Sequence, residues 1–116
     1  CGSSIQVPST APQGKKYQPK TAPNQDYDNG TTQVGWRCLK YSMTEPTYFS
    51  YKYDSANASE IETSATKPTA SDASWWVAAA GDLNGDTVTS FIGAAGRIVN
   101  GKPIVGTTLF EVNIEE

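Results

Sequence analysis

Residue types that carry acid–base or metal chemistry are few in this chain. It has no histidine, which excludes histidine-based acid–base or triad catalysis. Glu60 and Glu62 lie in a polar segment and fit a solvated surface better than the facing acid pair of a glycosidase. The sequence contains no C-x-x-C-H motif, no zinc-ligand cluster and no glycine-rich phosphate loop. We therefore predict that the protein is not an enzyme and binds no cofactor.

The pattern closest to a metal site is Asp82-x-Asn84-x-Asp86, whose spacing matches the first three ligands of a calcium loop. A complete loop needs an acid at its twelfth position, and that position is Gly93. A hairpin turn around Asn84-Gly85 explains the same residues without a metal. We expect the plain turn, and calcium at Asp82, Asn84 and Asp86 is the alternative.

Two cysteines, Cys1 and Cys38, allow three interpretations. They could form a disulfide, which is typical of an oxidising compartment. Their wide separation in sequence is no obstacle, because the entropic cost of closing a loop rises only slowly with its length. The opening Cys1-Gly2-Ser3-Ser4 also resembles a bacterial lipoprotein after signal removal, with lipid on the cysteine. Such an anchor would hold the chain at a membrane without a spanning segment, and no apolar run of about 18 residues is present. A free thiol is the third possibility.

The charge balance and length limit the partners and the size of the domain. A net charge of −3 argues against nucleic acid as a partner, and 116 residues suffice for one domain with appendages. Residues 1–33 are polar and proline-rich, which disfavours both helix and central strand. We predict an extended arm there, lying against its own domain or, preferentially, against a neighbouring copy. Its expected contact residues are Val7, Tyr17 and Tyr27.

Residues 34–116 are predicted to form a β head domain, because apolar runs alternate with turn signals. The strand-like segments are residues 34–43, 48–53, 75–80, 87–92, 97–99, 103–105 and 107–114, which together suggest about five or six strands. Asn84-Gly85 and Asn100-Gly101 are hairpin signals, since both residue types tolerate positive φ. The predicted fold class is mainly β: an antiparallel sheet of about five or six strands, with an extended N-terminal arm and no long helix.

A row of aromatic residues marks one face of the second predicted strand. Phe49, Tyr51 and Tyr53 alternate with smaller or polar residues and therefore share a face. An antiparallel sheet with an apolar face must cover that face, and the chain shows no amphipathic helix pattern that would do so. These three residues are therefore a candidate docking face. The alternative is that the sheet folds back on itself as a sandwich or curled barrel.

Three segments, taken in order, resemble the head domains of type IV pilins and pilin-like proteins of deltaproteobacteria. Residues 39–53 (LKYSMTEPTYFSYKY) resemble their first strands, and residues 76–86 (WVAAAGDLNGD) resemble their acidic hairpin. Residues 110–116 (FEVNIEE) resemble their C-terminal segment. Thr87 departs from the pattern, because glycine is usual after the second aspartate. The resemblance covers roughly residues 35–116.

The resemblance implies a structural role. In that family the head is carried on a long apolar helix, which residues 1–34 do not contain, and some bacteria of the group split the pilin into a short helical subunit and a head subunit. The chain resembles the latter. This implies a filament subunit, of a type IV pilus or pseudopilus-like assembly, that docks on a short helical pilin subunit and on copies of itself, outside the cell or at the periplasm and outer membrane. The alternative is a lipid-anchored cell-envelope module that recognises glycan or protein through residues 54–74.

Overall fold

The fold is built on a four-stranded antiparallel meander. A computed structural model describes residues 1–55 and 75–113, apart from the side chains of residues 97–99, 106–108 and 110. The strands lie in the order β1-β2-β3-β4, and every neighbouring pair is antiparallel. Their bounds are β1 Phe49–Ser55, β2 Trp75–Gly81, β3 Ser90–Val99 and β4 Lys102–Val112. The arm carries a short 3-10 turn, Asp26–Asp28, and is followed by a five-residue helix, α1, Gly35–Leu39.

The predicted mainly β, antiparallel class without a long helix is confirmed for these residues. The turn at Asn100-Gly101 joins β3 to β4 with φ values of 50° and 75°, the positive pair that a two-residue hairpin requires. Segments predicted as separate strands merge: residues 90–99 form one strand, and residues 102–112 form the next. A register irregularity between Ala94 and Gly96 absorbs the extra residues of β4.

The predicted strand over residues 34–43 is wrong, because α1 occupies its centre. Trp36 and Leu39 are three positions apart, so the change of phase in the apolar pattern reflects a helical turn and not a bulge. The helix is short because Gly35 enters it at φ 78° and Lys40 ends it in the left-handed region at φ 55°. The indole Nε1 of Trp36 donates to the carbonyl of Ile5 at 2.9 Å, a contact across 31 residues that no local pattern reveals.

The two faces of the sheet are covered to different extents. Ser50 is 1% exposed and Asp54 is also buried, so the polar side of β1 is the inner one. Across the sheet, Trp76 and Phe91 close over the same face with ring centroids 6.0 Å apart, and Ala11 of the arm packs on them. The aromatic row of β1 lies on the opposite face and is only half-buried. That opposite face is therefore the open one.

The arm lies against its own domain. Val7 exchanges backbone hydrogen bonds with Tyr51 at 3.0 and 2.9 Å, so the arm adds a fifth extended segment to the free edge of β1. Further along, Gln13 forms a bridge with Asp82, and Tyr17 forms one with Thr47. The bridges to Tyr51 and Thr47 close the β1 edge, which would otherwise leave a row of unpaired backbone groups.

The preferred prediction that the arm anchors reach a neighbouring copy is corrected accordingly. Val7 is 1% exposed and packs with buried Tyr27 and Trp36 in one cluster. Tyr17 packs against that cluster, and its hydroxyl donates to the Asp26 carboxylate at 2.7 Å. The three anchors are thus used within the chain: Val7 and Tyr27 pack with each other and with Trp36, and Tyr17 is hydrogen-bonded to Asp26 of the arm.

Stability is expected to fall in alkali, because the tyrosines of this cluster are neutral in the folded state. Burial, and next the hydrogen bond to Asp26, raise the pKa of Tyr17 to about 12, and burial also raises the pKa of Tyr27. A raised folded-state pKa gives stability that is complete below pH 10 and is lost as the pH rises towards 12. Urea unfolding between pH 8 and pH 11.5 checks this. Tyr17→Phe should flatten the decline relative to Tyr48→Phe, and a free energy of unfolding that stays constant to pH 11.5 would contradict it.

Candidate functional site

An apolar groove of about 700 Å³ lies on the open face of the sheet. Its floor is formed by β2 and β3, one wall by α1 above the β1 edge, and the opposite rim by β4. Because the wall and the rim stand at opposite edges of the sheet, the groove runs along the strands. The side chains that define it belong to residues of α1 and its flanks (Cys1, Trp36, Leu39, Tyr41), β1 (Tyr51, Tyr53), β2 (Trp75, Val77, Ala79), β3 (Ile92, Ala94) and β4 (Pro103, Leu109).

A disulfide and several backbone contacts hold the α1 wall in place. Cys1 and Cys38 are bonded, with their Cα atoms 5.8 Å apart. The Tyr53 hydroxyl donates to the carbonyl of Cys1 at 3.0 Å, which ties the start of the arm to β1. The backbone amide of Gly2 donates to Gln33 at 2.8 Å, on the approach to α1. The wall is therefore fixed by covalent and polar links to the sheet it overhangs.

The floor combines small residues with accessible aliphatic ones. Ala79 and Ile92 pair across β2 and β3, as do Val77 and Ala94. Val77 is 39% exposed and Ile92 is 41% exposed, so apolar surface is available in the middle of a sheet. Soluble domains rarely leave a contiguous apolar surface of this kind unless it binds something.

Trp75 lies at the end of the floor nearest the β3–β4 hairpin and depends on a glycine. A Cβ on Gly96, its partner across β2 and β3, would collide with the Trp75 indole and with the Ile104 carbonyl. Glycine at this position therefore lets the indole lie flat against the backbone of β3. The indole Nε1 is buried without a hydrogen-bond partner in the structure, so it offers no accessible donor at this end of the groove.

Among the described residues that line the groove, Lys52 has a charged side chain, but alternation places that side chain on the inner face of β1 with Ser50 and Asp54. Its ammonium lies 3.3 Å from the carboxylate of Asp54, and both side chains are largely buried. The pair therefore lies outside the groove, and the groove face presents no charged side chain among the described lining residues. The groove therefore suits an uncharged apolar segment whose backbone N–H and C=O groups are already hydrogen-bonded to one another.

The predicted docking residues divide between two locations. Tyr51 and Tyr53 line the groove, and both also pack against the arm cluster of Val7, Tyr27 and Trp36. Phe49 does not line it: its ring lies over Gly81, where a Cβ would come within 2.6 Å of two ring atoms. The aromatic row thus forms one side of the groove with two of its three members.

The acidic turn is satisfied by its own backbone. Asp82 is buried, and its carboxylate accepts from the amides of Gly85 at 2.8 Å, Asp86 at 3.2 Å and Thr87 at 2.9 Å. The Asp86 carboxylate accepts from the Val88 amide at 2.8 Å. No group of three or more potential metal ligands is found among residues 1–55 and 75–113. The turn geometry therefore accounts for the spacing that resembled a calcium loop.

The disulfide settles the state of both cysteines in this structure. A sulfur bonded to Cys38 cannot at the same time carry a thioether-linked lipid, so the interpretation of Cys1 as an acylated residue is wrong for this state. Of the segment proposed for glycan or protein recognition, residues 56–74 lie outside the described residues.

Sequence reasoning missed most of the groove. The apolar pattern places Trp36, Leu39 and Tyr41 in a strand, so nothing in it indicates that they stand over the sheet. On β2, the alternation of Trp75, Val77 and Ala79 against buried Trp76 is a usable signal for a second apolar face. That signal identifies which side chains share a face, but it does not show what covers either face.

Comparison with known proteins gives no relative: no family model, no curated protein and no solved structure matches this chain. None of the helices within residues 1–55 and 75–113 has the length and apolar character needed to cross a bilayer.

Proposed function

We propose that this chain is the head subunit of a type IV pilus-like filament and that its groove holds an apolar helix from another polypeptide. The observation that carries the proposal is an apolar groove, open to solvent, along a sheet whose other face is already buried. The resemblance of residues 35–116 to pilin heads supplies the filament context. No catalytic role is proposed.

The dimensions of the groove suit one helix. A helix with side chains is about 10–12 Å across, and four strands about 4.8 Å apart span about 14 Å. A single helix between the α1 wall and the β4 rim would therefore cover the floor. Val77, Ile92 and Leu109 would lose their exposed surface, and burial of apolar area contributes about 25 cal/mol per Å². An external helix also explains why the sheet needs no second layer of its own.

The other candidate, a lipid-anchored module for glycan recognition, receives less support. Glycan sites combine aromatic platforms with several hydrogen-bonding side chains, whereas the groove offers aromatic rings with few free polar groups. The Tyr53 hydroxyl is already engaged with Cys1. The disulfide is consistent with a location outside the cytoplasm, so we propose a filament outside the cell or within the periplasm.

Binding of a synthetic helix tests the docking part of the proposal. The probe is a fluorescein-labelled amphipathic peptide of about 18 residues with a Leu/Ile stripe at helical spacing, and its control is a scrambled peptide of equal composition. Fluorescence anisotropy should show saturable binding of the striped peptide only. Val77→Asp should weaken it at least tenfold, because a charge would be buried without a partner.

Val88→Asp is the matched control for that variant. Val88 is 43% exposed, close to the value for Val77, but does not line the groove. Equal affinity of both variants and the parent chain would contradict docking in the groove.

Filament formation is tested with a longer helical peptide that has an additional, entirely apolar half and is mixed with the chain in detergent. After detergent removal, negative-stain micrographs should show filaments, and complexes that never polymerise would contradict that part alone.

A further inference from the structure

We propose that Asn100 is a site of spontaneous covalent modification, at which water converts the side-chain amide to a carboxylate and ammonia is released. The site lies in the two-residue turn of the β3–β4 hairpin, where Asn100 precedes Gly101. The sequence contains two other pairs of this type, Asn29-Gly30 and Asn84-Gly85. The structure singles out Asn100 among the three, and this selection does not depend on the proposed function.

The reaction needs two neighbouring groups, with water as the only co-reactant. The backbone nitrogen of Gly101, after losing its proton to solvent base, attacks the side-chain carbonyl carbon of Asn100 and forms a C–N bond. The side-chain nitrogen then leaves as ammonia, and a five-membered cyclic imide remains. Water opens the imide at either of its two carbonyl carbons, which gives aspartate or isoaspartate. A glycine favours the attack, because no Cβ shields its nitrogen.

The tip of the β3–β4 hairpin leaves both reacting groups accessible. Asn100 and Gly101 are exposed, and a Cβ on Gly101 would meet no heavy atom within 4 Å. Among the described residues, no hydrogen bond holds the Asn100 side chain or the Gly101 amide. The described part of β2 pairs with β3 only as far as Gly96, so the tip is a two-stranded ribbon. Two strands alone are marginally stable, and local opening lets the side chain reach the next amide.

The turn at Asn84-Gly85 holds the corresponding groups in place. The Asn84 side chain donates to the Asp86 carboxylate at 3.2 Å and accepts from the Asp86 amide at 3.0 Å. The attacking nitrogen is also engaged, because the Gly85 amide donates to the buried Asp82 carboxylate at 2.8 Å. An amide that donates to a carboxylate loses its proton less readily, since the negative charge opposes a second one. This pair is therefore expected to react slowly.

The pair Asn29-Gly30 is held by contacts on both residues. The Asn29 side chain donates to the Asn24 carbonyl at 3.3 Å, and the Gly30 amide donates to the Asn24 side chain at 3.3 Å. A Cβ on Gly30 would collide with the Val34 carbonyl, so the backbone is closely packed there. Ring formation at Asn29 therefore requires more of the chain to unfold than it does at the hairpin tip.

The two products differ in their effect on the hairpin. Aspartate keeps the backbone path and adds one negative charge at the exposed tip. Isoaspartate routes the main chain through the former side chain, which adds one carbon atom before Gly101. A two-residue turn closed by the Val99–Lys102 pair has no slack for that atom. The isoaspartate form is therefore expected to lose the closing pair and to loosen the groove rim at Pro103.

Peptide mapping of the folded chain tests the selection of Asn100. The chain is incubated at pH 8 in water enriched in oxygen-18, which labels each new carboxylate, and is then digested in ordinary water. The three Asn-Gly pairs fall in different tryptic peptides, residues 21–37, 53–97 and 98–116, and fragment ions locate the label. Labelling at Asn100 should be about tenfold faster than at Asn29 or Asn84, because the hairpin tip opens more readily. It should slow at pH 6, where fewer amides lose their proton.

Unfolding and substitution provide the controls. In concentrated urea the three sites should label at rates within about threefold of one another, since each attacking residue is a glycine and local structure is gone. Asn100→Gly keeps the positive φ values of the turn, removes the reacting amide, and should leave labelling at Asn29 and Asn84 unchanged. Labelling of the folded chain that is equal at the three sites, or faster at Asn29 or Asn84, overturns the inference.

Hydrogen exchange tests the effect on the hairpin. Electron-transfer fragmentation distinguishes isoaspartate from aspartate, and ion exchange separates the modified chain from the parent. Exchange of the amides in residues 97–104 should rise in the isoaspartate fraction and not in Asn100→Asp, which models the other product. Equal exchange in these two forms overturns the loosening of the rim, whereas the selection of Asn100 is decided by the labelling alone.

Discussion

Replacing Cys1 and Cys38 together by serine is expected to lower the free energy of unfolding by about 4 kcal/mol. The bond closes a loop across a sequence separation of 37 residues, and loop-closure entropy for that length gives about this value. Most of the arm lies within this loop. Breaking the bond therefore increases the conformational entropy of the arm, which covers the β1 edge, in the unfolded chain. Urea unfolding at pH 7 of oxidised parent and double variant measures the difference.

The same variant should also weaken binding of the striped peptide. Cys1 lines the groove, and the bond fixes the α1 wall that carries Trp36 and Leu39. Each single serine variant controls for side-chain chemistry, because either one alone breaks the bond and should reproduce the double variant. Two results would contradict this account: a loss of stability below about 1 kcal/mol, or unchanged stability after reduction of the parent chain with dithiothreitol.

The sheet could be predicted because its signals are local. Alternation marks β1 and β2, and Asn100-Gly101 fixes the last hairpin through positive φ at both positions. The length of β3 could not be predicted, because Gly93-Ala94-Ala95-Gly96 reads as a break in a strand. Gly96 belongs to the strand for a tertiary reason: the indole of Trp75 occupies the space that a Cβ would need.

The groove could be predicted only in part, because its wall depends on contacts distant in sequence. A five-residue helix has too few hydrogen bonds to be stable by itself, so no local propensity identifies α1. Its position is set by the bond from Cys38 to Cys1 and by the hydrogen bond from Trp36 to Ile5. The period of two identifies Tyr51 and Tyr53 as sharing a face, but which face of β1 is buried depends on the arm and on Trp76, and neither contact is visible in the local pattern.

Trp36→Ala is expected to cost about 3–5 kcal/mol, the second large effect. The side chain is 5% exposed and contacts the edge of Tyr27, with ring centroids 5.1 Å apart. Truncation removes that packing and leaves a cavity between the arm and α1, and it also leaves the Ile5 carbonyl without its donor. Because the same indole lines the groove, the variant should lose both stability and affinity for the striped peptide.

Two further variants separate packing from hydrogen bonding at this position. Trp36→Phe keeps most of the ring and loses the Nε1 donor, so it should cost about 1–2 kcal/mol. Tyr48→Ala removes an exposed aromatic ring whose described ring contact is with the Lys16 ammonium, 5.4 Å from its centroid, and should cost under about 1 kcal/mol. Urea unfolding gives all three values. If Trp36→Ala costs no more than Tyr48→Ala, the indole does not join the arm to α1, and the α1 wall is held in place by the disulfide and the hydrogen bonds of Gly2 and Tyr53.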